Sequence, residues 1–201
     1  MKVTYNAPVV LTFCFVSWLV LQLAHLLGTQ VLLDYFSTSG SLELMSPLFY
    51  LTMVTHVLGH TSMKHLAGNA MIILLAGPML EERFGSRKLL TMIVLTAIAT
   101  GFLNTLIFGT GLIGASGIAF MMITLASCGK MRRGQIPLTL IGAAYLHLAP
   151  EIAYSFQDNK VSEFGHIVGG ILGILFGLFW NESRDRISER GIPSQDSLQI
   201  S

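Results

Sequence analysis

The sequence predicts an all-α, polytopic membrane protein with six transmembrane helices. Charged residues make up only 11% of the 201 residues, against about 25% in soluble domains, while hydrophobic residues make up 52%. Six apolar segments follow one another along the chain, and lysine and arginine gather in alternate connections between them. A net charge of only +1 excludes a charge-driven nucleic-acid binder, and the apolar composition excludes a soluble or disordered chain.

The first apolar segment, Val9 to Leu27, is uncharged and long enough to cross a bilayer. We interpret it as a retained helix rather than a signal peptide, because Ala24-His25-Leu26 is a poor cleavage site. Residues 28–62 are mixed in polarity, and we expect a long loop that lies partly in the membrane interface. The second span covers about Met63 to Leu80, and a short charged loop is expected over residues 81–88.

The later spans are separated by glycine-rich or basic connections. They are expected at about residues 89–108, 116–128, 136–156 and 164–180, with a glycine-rich turn at residues 109–115. We treat residues 1–182 as one six-span membrane domain and residues 183–201 as a polar cytoplasmic tail. Only about eight residues precede the first span, so we expect no sizeable cytoplasmic domain before it.

The basic residues predict the orientation of the chain in the membrane. Of the 12 lysines and arginines, only Lys64 and Lys160 fall on the side opposite the termini. Because basic residues favour the cytoplasmic side, both termini are expected in the cytoplasm. We expect the membrane to be a bacterial cytoplasmic membrane, with the site toward its outer face.

Polar side chains inside predicted spans are costly and therefore mark functional sites. They form three groups, namely His60-x4-His65-x3-Asn69, Gly114-Ala115-Ser116-Gly117, and His166 followed by Gly169 and Gly173. In the predicted topology, all three groups lie near the outer ends of their helices. Three helices thus bring a hydroxyl, an imidazole and an amide to a similar depth.

This combination favours nucleophilic catalysis. A serine hydroxyl needs an adjacent base, and His166 can accept the proton of Ser116. Ser116 would begin a helix, where backbone amides favour a developing oxyanion, and the side chains of Asn69 and His65 could add donors. No Asp or Glu occupies an obvious third position, so we predict a Ser–His dyad.

Small residues would permit the close packing that this chemistry needs. Gly117 lets another backbone approach, and Gly169 with Gly173 presents a small face on which the sixth helix can pack against the fourth. Each motif alone has a simpler explanation in helix packing. It is their combination at one depth that indicates a site.

A metal site is the alternative for the histidines. His56 and His60 are spaced as in a zinc helix, but the glutamate of the His-Glu-x-x-His motif is missing between them. We therefore expect no metal. His147 and Glu151 could pair with each other, and we assign them no catalytic role.

Together these motifs, in this order and with six spans, resemble the rhomboid family of intramembrane serine proteases. The resemblance covers most of the chain, from the first loop to the sixth span. The stretch Gly77-x3-Glu81-x-Arg83-x-Gly85 is also similar to the family's segment at the end of the second span, where Glu81 and Arg83 would be structural.

The resemblance implies a six-helix rhomboid core with a membrane-dipping first loop. It implies that Ser116 is the nucleophile, that His166 is the general base, and that His65, Asn69 and the Ser116 amide bind the oxyanion. Gly114, Gly117, Phe120, Gly169 and Gly173 would pack the helices at the site. The fifth helix resembles the substrate gate. No cofactor is implied, and the partners are membrane proteins, often single-span, in the lipid bilayer.

Two positions depart from the family pattern. The family's Trp-Arg pair in the first loop falls on Leu51-Thr52, and the tyrosine often found four residues after the nucleophile is Phe120, whose ring can still stack on His166. The expected function is an intramembrane serine endopeptidase. The alternative is an inactive rhomboid-like protein that binds transmembrane helices; a transporter is disfavoured, because the polar residues do not continue across the membrane.

Overall fold

A computed structural model describes residues 5–128, Leu138, Gly142 and 160–180. In this part of the chain the secondary structure is helical and contains no strand. Its α-helices are α1 (Pro8–Leu27), α2 (Gln30–Tyr35), α3 (Pro47–Thr55), α4 (Met63–Phe84), α5 (Ser86–Phe108), α6 (Ser116–Cys128) and α7 (Lys160–Phe179). Apart from Leu138 and Gly142, the predicted fifth span lies outside the described residues, as do His147, Glu151 and the predicted tail.

The long helices agree with the predicted spans. Among the described residues, α1, α4 and α5 are long and apolar enough to cross a membrane, with 20, 22 and 23 residues. α6 and the segment Phe164–Phe179 of α7 are shorter apolar helices at the predicted fourth and sixth spans. The fold is therefore an all-α, polytopic membrane fold, as predicted.

The expectation of a charged loop at residues 81–88 is wrong. α4 continues to Phe84 and α5 begins at Ser86, so Gly85 alone separates them, with a positive φ of 84°. Glycine adopts this backbone conformation without a steric penalty, which lets one residue end a helix. Glu81 is buried rather than solvated, which explains why its charge does not indicate a loop.

Glu81 caps the N-terminus of another helix. Its two carboxylate oxygens accept hydrogen bonds from the backbone amides of Val9 and Val10, at 3.0 and 3.1 Å. The N-cap residue of α1, Ala7, has no side chain that could accept them, so α4 supplies the acceptor. The two helices approach closely, since a Cβ on Gly77 would lie 2.6 Å from Val10 Cγ2.

The first loop is more ordered than the sequence suggests. Residues 28–62 contain α2, α3 and a 3₁₀ turn, His56–Leu58. The Thr38 amide donates to the Leu112 carbonyl at 3.0 Å, and the Leu112 amide donates to Thr38 Oγ1 at 2.8 Å. Thr52, at the position of the family's Trp-Arg pair, is buried and donates to the Phe49 carbonyl. The loop is thus anchored to the turn before α6.

α6 lies at the centre of the described helices. It contacts α4, α5 and α7, and its largest interface is with α7. The main core contains Met121, Met122 and Leu125 of α6, together with apolar residues of α1, α4 and α5. A central helix that begins at Ser116 can therefore be approached from several sides.

Candidate active site

Ser116 is the first residue of α6 and is partly exposed. The carbonyl of Ala115 accepts the Ala119 amide at 2.9 Å, so the helical hydrogen bonding begins at Ala115. The amides of the first helical turn, including that of Ser116, consequently have no acceptor within the helix itself. A helix start of this kind favours a negative charge beside the serine.

The turn before Ser116 is held against the histidine region. Gly114 has a φ of 123°, and its amide donates to the His56 carbonyl at 2.9 Å. A Cβ on Gly114 would lie 2.7 Å from Cε1 and 2.9 Å from Nε2 of His65, and 3.9 Å from Nδ2 of Asn69. Both side chains of α4 therefore reach the turn two residues before Ser116.

Asn69 is oriented by His60. Its Nδ2 lies 3.1 Å from His60 Nε2, while His60 Nδ1 lies 3.3 Å from the Leu58 carbonyl. An amide nitrogen only donates, so Nε2 accepts and the proton of the neutral ring is assigned to Nδ1. Burial, with a smaller contribution from the nearby His65, lowers the pKa of His60 to about 4, which agrees with a neutral ring.

His166 of α7 is buried, with 2% of its surface exposed, and its imidazole stacks on Phe120. The ring centroids are 4.7 Å apart and the planes are 10° apart. Phe120 lies one helical turn after Ser116, so it shares that face of α6. The stack therefore brings the imidazole to the face of α6 on which Ser116 lies.

Small residues allow α7 to approach α6 at backbone distance. A Cβ on Gly117 would lie 3.2 Å from the Gly165 carbonyl oxygen. A Cβ on Gly169 would overlap the Gly117 carbonyl, and one on Gly173 would overlap Thr124 Oγ1. Gly117, Gly169 and Gly173 therefore all lie at the interface between α6 and α7.

His56 has a different environment from His60. It is buried, its Nδ1 lies 3.1 Å from the Thr52 carbonyl, and its Nε2 lies 3.4 Å from Thr100 Oγ1. Among residues 5–128 and 160–180, no group of three or more His, Cys, Asp or Glu side chains could hold a metal ion. His56 instead links the end of α3 to α5.

Ser17 is a polar residue near the site that sequence reasoning missed. It is buried in α1 and lines a small gap with His60, Asn69 and Ala115. Its Oγ has no hydrogen-bond partner among the described residues. A polar side chain inside a span was the signal used for the other site residues, and the same signal would have identified Ser17.

Comparison with known proteins assigns the family. The model of the Rhomboid domain matches residues 49–182, which is two thirds of the chain and includes every candidate site residue. The chain belongs to the rhomboid family. This rhomboid is therefore an integral membrane protein.

Curated relatives are similar at a distance. The rhomboid protease GlpG of Haemophilus influenzae is 24% identical over 139 residues, which cover 65% of this chain and 70% of the relative. The protein of that name from Yersinia pestis (strain Pestoides F) is 26% identical over 132 residues, 64% of this chain and 47% of the relative. The one from Serratia proteamaculans is 26% identical over 176 residues, which cover 86% of this chain and 61% of the relative. The chain thus spans about half to 70% of these relatives.

Proposed function

We propose that this rhomboid is an intramembrane serine endopeptidase in which Ser116 is the nucleophile and His166 is the general base. The observation that carries the proposal is the stack of Phe120 on His166, which brings the imidazole to the Ser116 face of α6. His65 and Asn69 approach the same helix start from α4. A base on one side and donors on the other suit acyl transfer. The names of the relatives support this chemistry.

In the proposed reaction, Ser116 Oγ attacks the scissile carbonyl while His166 accepts the hydroxyl proton. The oxyanion accepts hydrogen bonds from the Ser116 amide, Asn69 and His65. When the peptide bond breaks, His166 gives its proton to the leaving amine and an acyl ester remains on Ser116. A water molecule then attacks the ester with His166 as base, which releases the acid and restores the serine.

The bond between Asn69 and His60 supports the role of Asn69. A side-chain amide has two N–H donors, and the contact with His60 Nε2 uses one of them. The second donor remains for an oxyanion, and the first bond holds the amide plane in one orientation. A preorganised donor stabilises a developing charge better than a rotating one, since no reorganisation is needed during the reaction.

The proposed substrates are membrane proteins, in particular those with a single span. A substrate helix has to unwind locally, because its peptide carbonyls are hydrogen-bonded within the helix. We place the site toward the outer face of a bacterial cytoplasmic membrane, with both termini in the cytoplasm. The basic residues support this orientation, since only Lys64 and Lys160 fall on the outer side.

The test is cleavage of a single-span fluorescent substrate in proteoliposomes. Ser116→Ala and His166→Ala should each abolish cleavage, whereas Ser127→Ala on the same helix and His25→Ala on α1 serve as matched controls and should retain it. A serine-directed fluorophosphonate should label the wild-type protein and leave Ser116→Ala unlabelled. Full cleavage by either site variant would contradict the dyad. An unlabelled, folded wild type that still binds transmembrane helices would favour the inactive binder.

A further inference from the structure

An apolar cavity of about 460 Å³ lies between α1, α5 and the end of α3 with the 3₁₀ turn that follows it. Its walls include Val9, Phe13, Val57, Leu90, Ile93 and Val94. Two of the three walls are helices that can span a membrane, so the cavity is bordered by hydrocarbon rather than by water. An apolar space in that environment suits an apolar occupant.

The length of the cavity matches one leaflet of a bilayer. On α5 it extends from Ser86 to Ala97, which is about 16 Å at about 1.5 Å per residue. Half of a hydrocarbon core of about 30 Å is about 15 Å. An extended acyl chain has a similar length and is much narrower than a helix of about 10 Å diameter, so one acyl chain suits this space.

One end of the cavity is polar. At Ser86 it adjoins a second cavity of about 300 Å³, which Asn6 and Glu82 also line. Arg87 follows Ser86 directly and is exposed. A guanidinium suits a phosphate diester, and a carboxylate suits an ammonium group. Arg87, which follows Ser86 in sequence, and Glu82, which lines the adjoining cavity, place a cation and an anion at the same end of the apolar cavity, and the two charges together are complementary to a zwitterionic headgroup.

We infer that the two adjoining cavities bind one phospholipid with an amine headgroup. An acyl chain occupies the apolar cavity, the phosphate lies at Arg87, and the ammonium group lies in the polar cavity with Glu82. The acyl chain packs against Val57 and Leu58, and the backbone carbonyl of Leu58 is the hydrogen-bond partner of His60. The lipid thereby supports the turn that holds the Asn69 partner in place.

Native mass spectrometry tests this inference without a cleavage assay, so its outcome is separate from that of the proposed activity. The protein, in mild detergent, is exposed to equimolar phosphatidylethanolamine and phosphatidylglycerol. We expect one phosphatidylethanolamine to be retained per chain. Val94→Trp fills the cavity and should reduce retention about tenfold, which corresponds to the lost burial of about two methylenes. The neighbouring Leu95 is exposed and does not line the cavity, so Leu95→Trp is the matched control.

Two further variants separate misfolding and charge effects. Leu90 lines the cavity at a half-exposed position, so Leu90→Trp repeats the filling where the fold tolerates it. Arg87→Gln should reduce retention about fivefold, as expected for one basic residue near a phosphate, while Lys64→Gln at the other end of the membrane should not. Equal retention in Leu90→Trp and Leu95→Trp, equal retention of both lipids, or a wild type without lipid would overturn the inference.

Discussion

The ring of Phe120 lies nearly parallel to the imidazole of His166, with the centroids 4.7 Å apart. Phe120 belongs to α6 and His166 to α7, so the stack joins the two helices that carry the proposed nucleophile and base. An imidazole that rests on a ring has one face fixed, which limits its rotation about the side chain. The stack therefore positions the proposed base and does not itself react.

Removing the Phe120 ring should lower turnover more than binding. Phe120→Ala should reduce kcat about threefold to tenfold with little change in KM, since an aromatic pair contributes about 0.5–1.5 kcal/mol. Phe120→Tyr retains the ring and should retain activity. Phe102, exposed on α5, provides the control as Phe102→Ala. The measurement is cleavage kinetics in proteoliposomes, and an unchanged kcat in a folded Phe120→Ala variant would contradict the positioning role.

His60 and Asn69 should act as one unit. Asn69→Ala should reduce kcat about 10²–10³-fold, which is the loss expected on removing an oxyanion donor. His60→Ala leaves the Asn69 amide without its partner and should cost about tenfold, less than loss of the donor itself. The double variant should resemble Asn69→Ala alone, because His60 acts through Asn69. Independent, multiplying effects would show that the two residues do not cooperate. His25→Ala is the control for loss of a histidine.

Acid should destabilise the protein through His60. The pKa of His60 is about 4 in the folded chain, against 6.5 for an ordinary histidine, because burial disfavours its charged form. Between pH 6.5 and 4 the unfolded chain binds a proton that the folded chain does not, so stability falls as the pH falls and levels off below pH 4. His60→Gln should remove up to about 3 kcal/mol of this pH dependence. Unfolding free energies in mixed micelles at several pH values measure it; identical slopes would refute it.

The packing of α7 on α6 can be tested at adjacent glycines. Gly169→Ala would place a Cβ on the Gly117 carbonyl, and the overpacking should cost about 1–3 kcal/mol of unfolding free energy. Gly170→Ala is the matched control, because its Cβ would meet only ordinary contacts, at 3.6 Å from Thr124 and 3.8 Å from Phe120. Thermal denaturation in detergent reports both. Equal melting temperatures of Gly169→Ala and Gly170→Ala would mean that the interface accommodates the added methyl group without loss of stability.

The cap on α1 should contribute measurable stability. Glu81→Gln removes the charge that accepts the Val9 and Val10 amides, and should lower the free energy of unfolding by about 1 kcal/mol. Glu82→Gln changes the exposed neighbouring carboxylate and should shift stability by no more than about 0.5 kcal/mol. The comparison uses equilibrium unfolding of the two variants. A larger loss of stability in Glu82→Gln than in Glu81→Gln would contradict the proposed capping role of Glu81.

Hydropathy was sufficient to locate the described spans, because burial in a bilayer depends on apolar length and little else. It failed at residues 81–88, where Glu81 is charged but serves the amides of a helix 71 and 72 residues away. From the sequence alone, a buried carboxylate that caps a distant helix cannot be distinguished from a solvent-exposed one. The helices within the first loop were not predicted from its mixed polarity, since the contacts of Thr38 with Leu112 that order the loop are long-range.

The sequence was sufficient to predict which helix ends approach one another at the candidate site. Spacing on helices indicated that Ser116, His166, His65 and Asn69 lie at one depth, because each is placed near a helix start. The partner of Asn69 was not predictable, since His60 lies in the connection before α4 and its ring direction depends on the chain fold. The proposed roles of the four residues remain predictions for the variants above.

The cap that Glu81 provides also sets an order of events during synthesis. Val9 leaves the ribosome 72 residues before the carboxylate that binds its amide. At about 5–20 residues per second, the N-terminus of α1 waits about 4–14 s for its acceptor. During that interval the first helix has to rely on water or lipid headgroups for these amides. The N-terminus of the first helix therefore receives its protein cap only after the second long helix has been synthesised almost to its end.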